Sequence, residues 1–120
     1  MTARKRLWRV RLAHAAEADI QDIIRWTAGQ FGAVQARRYA ANISAALADL
    51  ADGPSIAGVK SRDEILPGLM TLHIARKRRK GRHFIMFRTG KSQESEIIEV
   101  LRLLHDMMDL PQHLPKDDPA

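Results

Sequence analysis

The run "IIEVLRLL", residues 97–104, holds six apolar residues out of eight, and they occupy both parities of an alternating pattern. At this length a continuous apolar run bounded by turn signals reads as a strand, and the polar stretch "TGKSQESE" stands just before it. A strand apolar on both faces belongs at the centre of a sheet. The chain must therefore supply neighbours on both edges of this segment and cover for it.

The neighbours are legible as period-2 patterns. Near the N-terminus Trp8, Val10 and Leu12 alternate with Leu7, Arg9 and Arg11, which predicts a first strand. Met70, Leu72 and Ile74 alternate with Thr71, His73 and Ala75. "RHFIMFR" then offers Phe84 and Met86 on one face and Ile85 and Phe87 on the other, so these two segments form a hairpin whose tip is "RKRRKGR", residues 76–82. The stretch 89–96 makes the next turn.

Between the first strand and the hairpin the period changes. Ala16, Ile20, Ile23, Ile24 and Thr27 recur at helical spacing and predict an amphipathic helix over about 15–27. "GQFG", residues 29–32, is a turn signal. Ala36, Tyr39, Ala40, Ile43, Leu47 and Leu50 then form a second apolar stripe that ends at "DGP", residues 52–54. A short link predicts an antiparallel helical hairpin, and its many alanines favour helix and close approach. Residues 55–68 read as a connecting loop. The order is β-α-α-β-β-β, an α+β fold with the helical hairpin packed on a mainly antiparallel sheet. One domain over 1–114 is expected, followed by a disordered tail, 115–120.

With no cysteine, disulfides, thiolate nucleophiles and cysteine-ligated metals are excluded. No apolar run is long enough to span a membrane, and the basic N-terminus lacks the apolar core of a signal peptide, so a cytoplasmic protein without membrane contact is expected. The net charge of +6 has one source. Arg76, Lys77, Arg78, Arg79, Lys80 and Arg82 carry it, and the other 14 basic residues balance the 14 acidic ones. A weaker basic cluster, Arg4, Lys5, Arg6, Arg9 and Arg11, opens the chain. Such density suits a polyanionic partner, nucleic acid or an acidic protein segment; the alternative is a solubilising loop. The run contains no aromatic residue, so contact with nucleic acid there would run through phosphates. Trp26 and Tyr39, on the helices, are read as core.

"VLRLLHDMMDLPQHLP", residues 100–115, places His105, Asp109 and His113 four residues apart, a spacing that can supply metal ligands. Pro111 interrupts the helix this would need, and no third, independent ligand appears, so neither a metal nor another cofactor is expected. His105 as a general acid or base needs a partner and a charge-stabilising group, for which Arg88 and Arg102 are the nearest candidates by strand position.

The element order, "AEADIQDIIRWTAGQFG", "ARRYAANISAALADLADGPSIAG", "GRHFIMFR" and above all the ending "IIEVLRLLHDMMDLPQHL" together resemble ParE toxins of the RelE/ParE superfamily of type II toxin–antitoxin systems. The resemblance implies a toxin that inhibits DNA gyrase and is not itself an enzyme, in a hetero-oligomer with a ParD-like antitoxin whose C-terminal segment wraps it. It implies antitoxin contacts at Arg9, Arg11, Ile23 and Trp26, and target or nucleic-acid contacts at the basic tip. RelE-like relatives share the fold but cleave ribosome-bound mRNA with basic sheet residues and a tyrosine or histidine near the C-terminus. No tyrosine follows Tyr39, and His105 and Arg88 match the histidine variant. The cationic hairpin tip departs from ParE relatives.

Overall fold

The structure is a computed structural model and describes residues 7–107. The strand that the apolar run predicted lies inside its sheet, with a neighbour on each side. We label the strands β1 (Arg9–Leu12), β2 (Lys60–Ser61), β3 (Met70–His73), β4 (His83–Ser92) and β5 (Ser95–His105). They form one sheet in the order β1-β5-β4-β3-β2, with β1 parallel to β5 and every other pair antiparallel.

β5 is buried on both faces, as its composition requires. Ile98, Val100 and Leu103 face the helices, and Leu101 and Leu104 join Met86 and Leu69 in a smaller cluster on the opposite face. Val100 and Leu103 are three apart, so strict alternation would put them on opposite faces. The β4–β5 register resolves this by passing from Phe87↔Val100 to Met86↔Arg102, which leaves Leu101 as an extra residue in a bulge.

Helix α1 (His14–Phe31) and helix α2 (Ala33–Asp49) are joined by Gly32 alone, at φ 92°. A single linking residue forces the antiparallel hairpin. The "GQFG" turn expected over 29–32 is therefore a correction: Gly29, Gln30 and Phe31 continue α1, and only Gly32 leaves helical geometry, in a region that suits glycine. Ala16, Ile23, Ile43 and Ala46 pack with Leu50, Leu72, Ile85 and Phe87 into the main core. Asp19 pins α1 to β5, accepting from Arg102 Nε and Nη2 at 2.7 and 3.0 Å and from the Leu103 backbone N–H at 2.9 Å.

Two further boundaries differ from expectation. The loop 55–68 contains β2, which adds an edge strand through Lys60↔Thr71 and Ser61↔Met70. The polar stretch 89–96 is mostly strand: β4 and β5 run on to Ser92↔Ser95, and the turn is only Gln93 and Glu94, both with positive φ. Their exposed, polar residues carry no core periodicity, because this end of the ladder stands clear of the main core. The first and last segments of the chain, including the expected tail and the residues Asp109, Pro111 and His113, lie outside the described residues.

After α2, a 3-10 turn (Leu50–Asp52) leads to Gly53 at φ 101°, where an added Cβ would stand 2.7 Å from Trp8 Nε1. Trp8 in turn donates its backbone N–H to Ala51 O at 2.8 Å, tying the entry of β1 to this turn. Gly53→Ala is expected to destabilise the protein by about 1–3 kcal/mol through a strained backbone and a displaced indole. Urea unfolding measures it, and an unchanged midpoint would contradict this account.

Candidate functional site

The basic tip is built by Asp49. A carboxylate at the C-terminal end of α2 meets the negative end of the helix dipole and needs cations. Arg76 Nη1 and Arg79 Nη2 donate to its Oδ2 at 2.5 and 2.6 Å, and Lys77 Nζ lies 3.4 Å from Oδ1. Burial raises the Asp49 pKa, but the Arg79 hydrogen bond and charge, followed by Lys77, outweigh it and hold the carboxyl below its ordinary value. Arg76 also donates to Ala57 O at 2.9 Å. Only 15% of each of the Arg76 and Arg79 side chains is exposed. Three of the six cations are thus committed to Asp49, and a fourth, Arg82, reaches Asp106 at 3.4 Å.

Two more bonds lay the tip along α2. Asn42 Nδ2 donates to Lys80 O at 3.0 Å, and the Arg82 backbone N–H donates to Tyr39 Oη at 3.0 Å. Lys77 and Arg78 take positive φ to make the turn, closed by Arg79 N–H to Arg76 O. The tip is docked, and Arg78 and Lys80 are left exposed.

Docking the tip encloses a groove of about 850 Å3 between it and the helical hairpin. Trp26, Phe31, Gln35, Arg38 and Asn42 line it from the helices, and Arg78, Lys80, Arg82, His83 and His105 from the tip and strands. Trp26 is a second correction: it is 60% exposed and packs edge to face against the equally open Phe31, with centroids 5.9 Å apart. Among the described residues that line the groove there is no aspartate or glutamate.

Histidines form the inner end. His83 and His105 are register partners on β4 and β5, with rings 5.3 Å apart. Tyr39 Oη accepts from the Arg82 backbone N–H at 3.0 Å and shares a second hydrogen bond, 2.8 Å long, with His83 Nδ1. Burial first, then the neighbouring His105, pushes the His83 pKa down to about 4. Burial raises that of Tyr39 and keeps the phenol protonated. On β3, His73 Nδ1 accepts from Ala75 N–H, so Nε2 carries the proton donated to Asp106 at 2.9 Å. That bond, aided by Arg82, holds the Asp106 carboxyl below its usual range. The His105 Nδ1 accepts the Met107 N–H at 3.1 Å and lies 3.6 Å from Asp106 Oδ1.

The other residues singled out from sequence fall elsewhere. Arg88 pairs with Glu99 at 3.0 Å, on the face opposite His83 and His105, so the structure does not bring Arg88 and His105 together. Arg102 is held by Asp19. Arg9 and Arg11 lie exposed on β1, where Arg11 reaches Glu99 at 4.0 Å, away from Trp26. Ile23 is buried in the main core. No group of three metal-ligating side chains occurs among the described residues. Sequence reasoning passed over Asp49, His73, His83 and Arg38 as site residues, and it read Tyr39 as core. The hairpin register could have supplied His83, because it stands directly opposite His105.

Asp49→Asn removes the charge that Arg76 and Arg79 surround. We expect a loss of about 2 kcal/mol in urea unfolding, between the values for surface and buried ion pairs. His83 supplies a pH test. Its folded pKa is about 4 against an ordinary 6.5, so between these values the unfolded chain binds a proton that the folded chain does not. Stability is fully present above pH 6.5 and falls toward pH 4, by about 2 kcal/mol after discounting for solvent around a half-exposed ring. His83→Gln should flatten that slope, whereas the pairs of Asp49 and Asp106 are lost only at lower pH. An identical slope in the variant would contradict the assignment.

The comparisons with known proteins agree with this architecture. The family model described as ParE toxin of type II toxin-antitoxin system, parDE, matches residues 10–110. "Toxin ParE" of Escherichia coli is 35% identical over 103 residues, covering 86% of this chain and 89% of the relative. "Toxin ParE1" of Caulobacter vibrioides is 30% identical over 104 residues, covering 87% and 95%. A solved structure titled "Chromosomal ParDE TA system from P. aeruginosa" shares the fold at a TM-score of 0.62 and 21% identity, over 82% of this chain and 96% of that one. The chain belongs to the ParE toxin family of type II toxin–antitoxin systems.

Proposed function

We propose that this toxin acts in the cytoplasm by inhibiting DNA gyrase and is neutralised by a ParD-like antitoxin in a hetero-oligomer. The observation that carries the reading is the family match across residues 10–110, supported by similarity to ParE toxins over most of the chain. On this reading the protein is an inhibitor of an enzyme. A basic toxin suits a partner segment that is acidic and folds on binding. Trp26 lies on α1, whereas Arg9 and Arg11 lie on β1, so an antitoxin that touches both must wrap around the domain. Ile23 then contributes through the core.

The second reading is mRNA cleavage of the RelE type, favoured by the pairing of His105 with His83 beside Arg82. Arg88 is misplaced for it, and charge stabilisation would pass to Arg82 or Lys80. Purified toxin added to gyrase in stoichiometric excess is expected to abolish supercoiling or trap cleaved DNA. Full supercoiling activity would sink the gyrase reading. Message cut in a translating extract, and left intact by His105→Ala toxin, would favour the second.

A further inference from the structure

We propose that the groove between the helical hairpin and the basic tip binds single-stranded nucleic acid, bases stacking on Trp26 and phosphates held by Arg38, Arg78 and Lys80. The inference does not rest on the gyrase reading, because it concerns direct binding by the toxin alone.

Three observations carry it. The first is charge: the described lining holds arginines and a lysine and no carboxylate, and Arg38, Arg78 and Lys80 are exposed. Such a surface attracts a polyanion and gains from counterion release. The second is the kind of apolar surface. The described lining contains no leucine, isoleucine, valine or methionine, and its larger apolar surfaces are aromatic rings. An amphipathic peptide helix is anchored by apolar side chains in a hydrophobic groove, whereas an open indole beside cations is how proteins hold unpaired bases. Gln35 and His105 add polar groups able to meet base edges. The third is preorganisation. The tip's backbone is fixed by Asn42 on Lys80 and Tyr39 on Arg82, and its flank by Asp49, so the exposed cations are presented from an ordered support. Stacking needs bases that are not already stacked, which selects a single strand over a duplex. The basic run taken alone lacks aromatics, and folding supplies them from α1.

The chain has two tryptophans, so in Trp8→Phe protein the emission reports Trp26 alone. Twelve-residue oligo(dT), oligo(U), a duplex of equal length and oligo-glutamate are titrated into it without antitoxin. Oligo(dT), oligo(U) or both should quench Trp26, and quenching by either supports the proposal. With labelled oligonucleotide, Trp26→Leu should bind about 5- to 150-fold more weakly, the range for one stacked base. Replacing Arg78 and Lys80 together by Gln should reduce the log–log salt slope by about 1.4, two single-strand phosphate contacts. The proposal is overturned by absent quenching with both single strands, by equal binding of the duplex or of oligo-glutamate, or by a salt slope that the tip variant leaves unchanged.

Discussion

Asp49 decides where the most basic segment of the chain goes. A carboxylate at the wrong end of a helix is a local fault, and Arg76, Arg79 and Lys77 correct it. In doing so they fold a run of six cations back onto α2 instead of leaving it in water. The groove, its cationic wall and the placement of Arg82 against Tyr39 all follow from that docking. Three like charges around one carboxylate also explain how a segment of such density tolerates its own repulsion.

The second constraint is β5. Being buried on both faces, it requires helices on one side and the Leu69, Met86, Leu101 and Leu104 cluster on the other. The bulge at Leu101 re-aims the strand so that His105 finishes on the helix face, opposite His83 and within reach of the groove. Arg88, before the bulge, points to the other face. One extra residue thus separates two side chains that an unbroken strand would have placed on one face.

Much of the fold was legible, because core faces write periodicity into sequence. The stripe Ala36, Ile43, Leu47 and the alternation of Ile85 with Met86 both predicted their elements, and the run 97–104 predicted a central strand. The misses have physical reasons. Thr89–Ser92 and Lys60–Ser61 are strands in polar surroundings, so hydrogen bonding alone defines them. Helix α1 runs on to Phe31 through Gly29, the first glycine of the stretch that signals a turn. The site was less legible. Composition located the cations, but nothing local to residues 76–82 indicates that three of them bind Asp49, some 27 positions earlier. Trp26 looked like core because it is large and apolar, and only the hairpin's geometry shows it to be open.

The groove exists only if the tip lies against α2. A spin label placed by Arg78→Cys is the sole thiol site in this cysteine-free chain, and the amides of Gln35, Arg38 and Asn42 report its distance by paramagnetic broadening in NMR spectra. Strong broadening confined to that face of α2, and relaxed by Asp49→Asn, is the predicted result. Weak broadening spread evenly over the protein, as from a freely solvated loop, would contradict it.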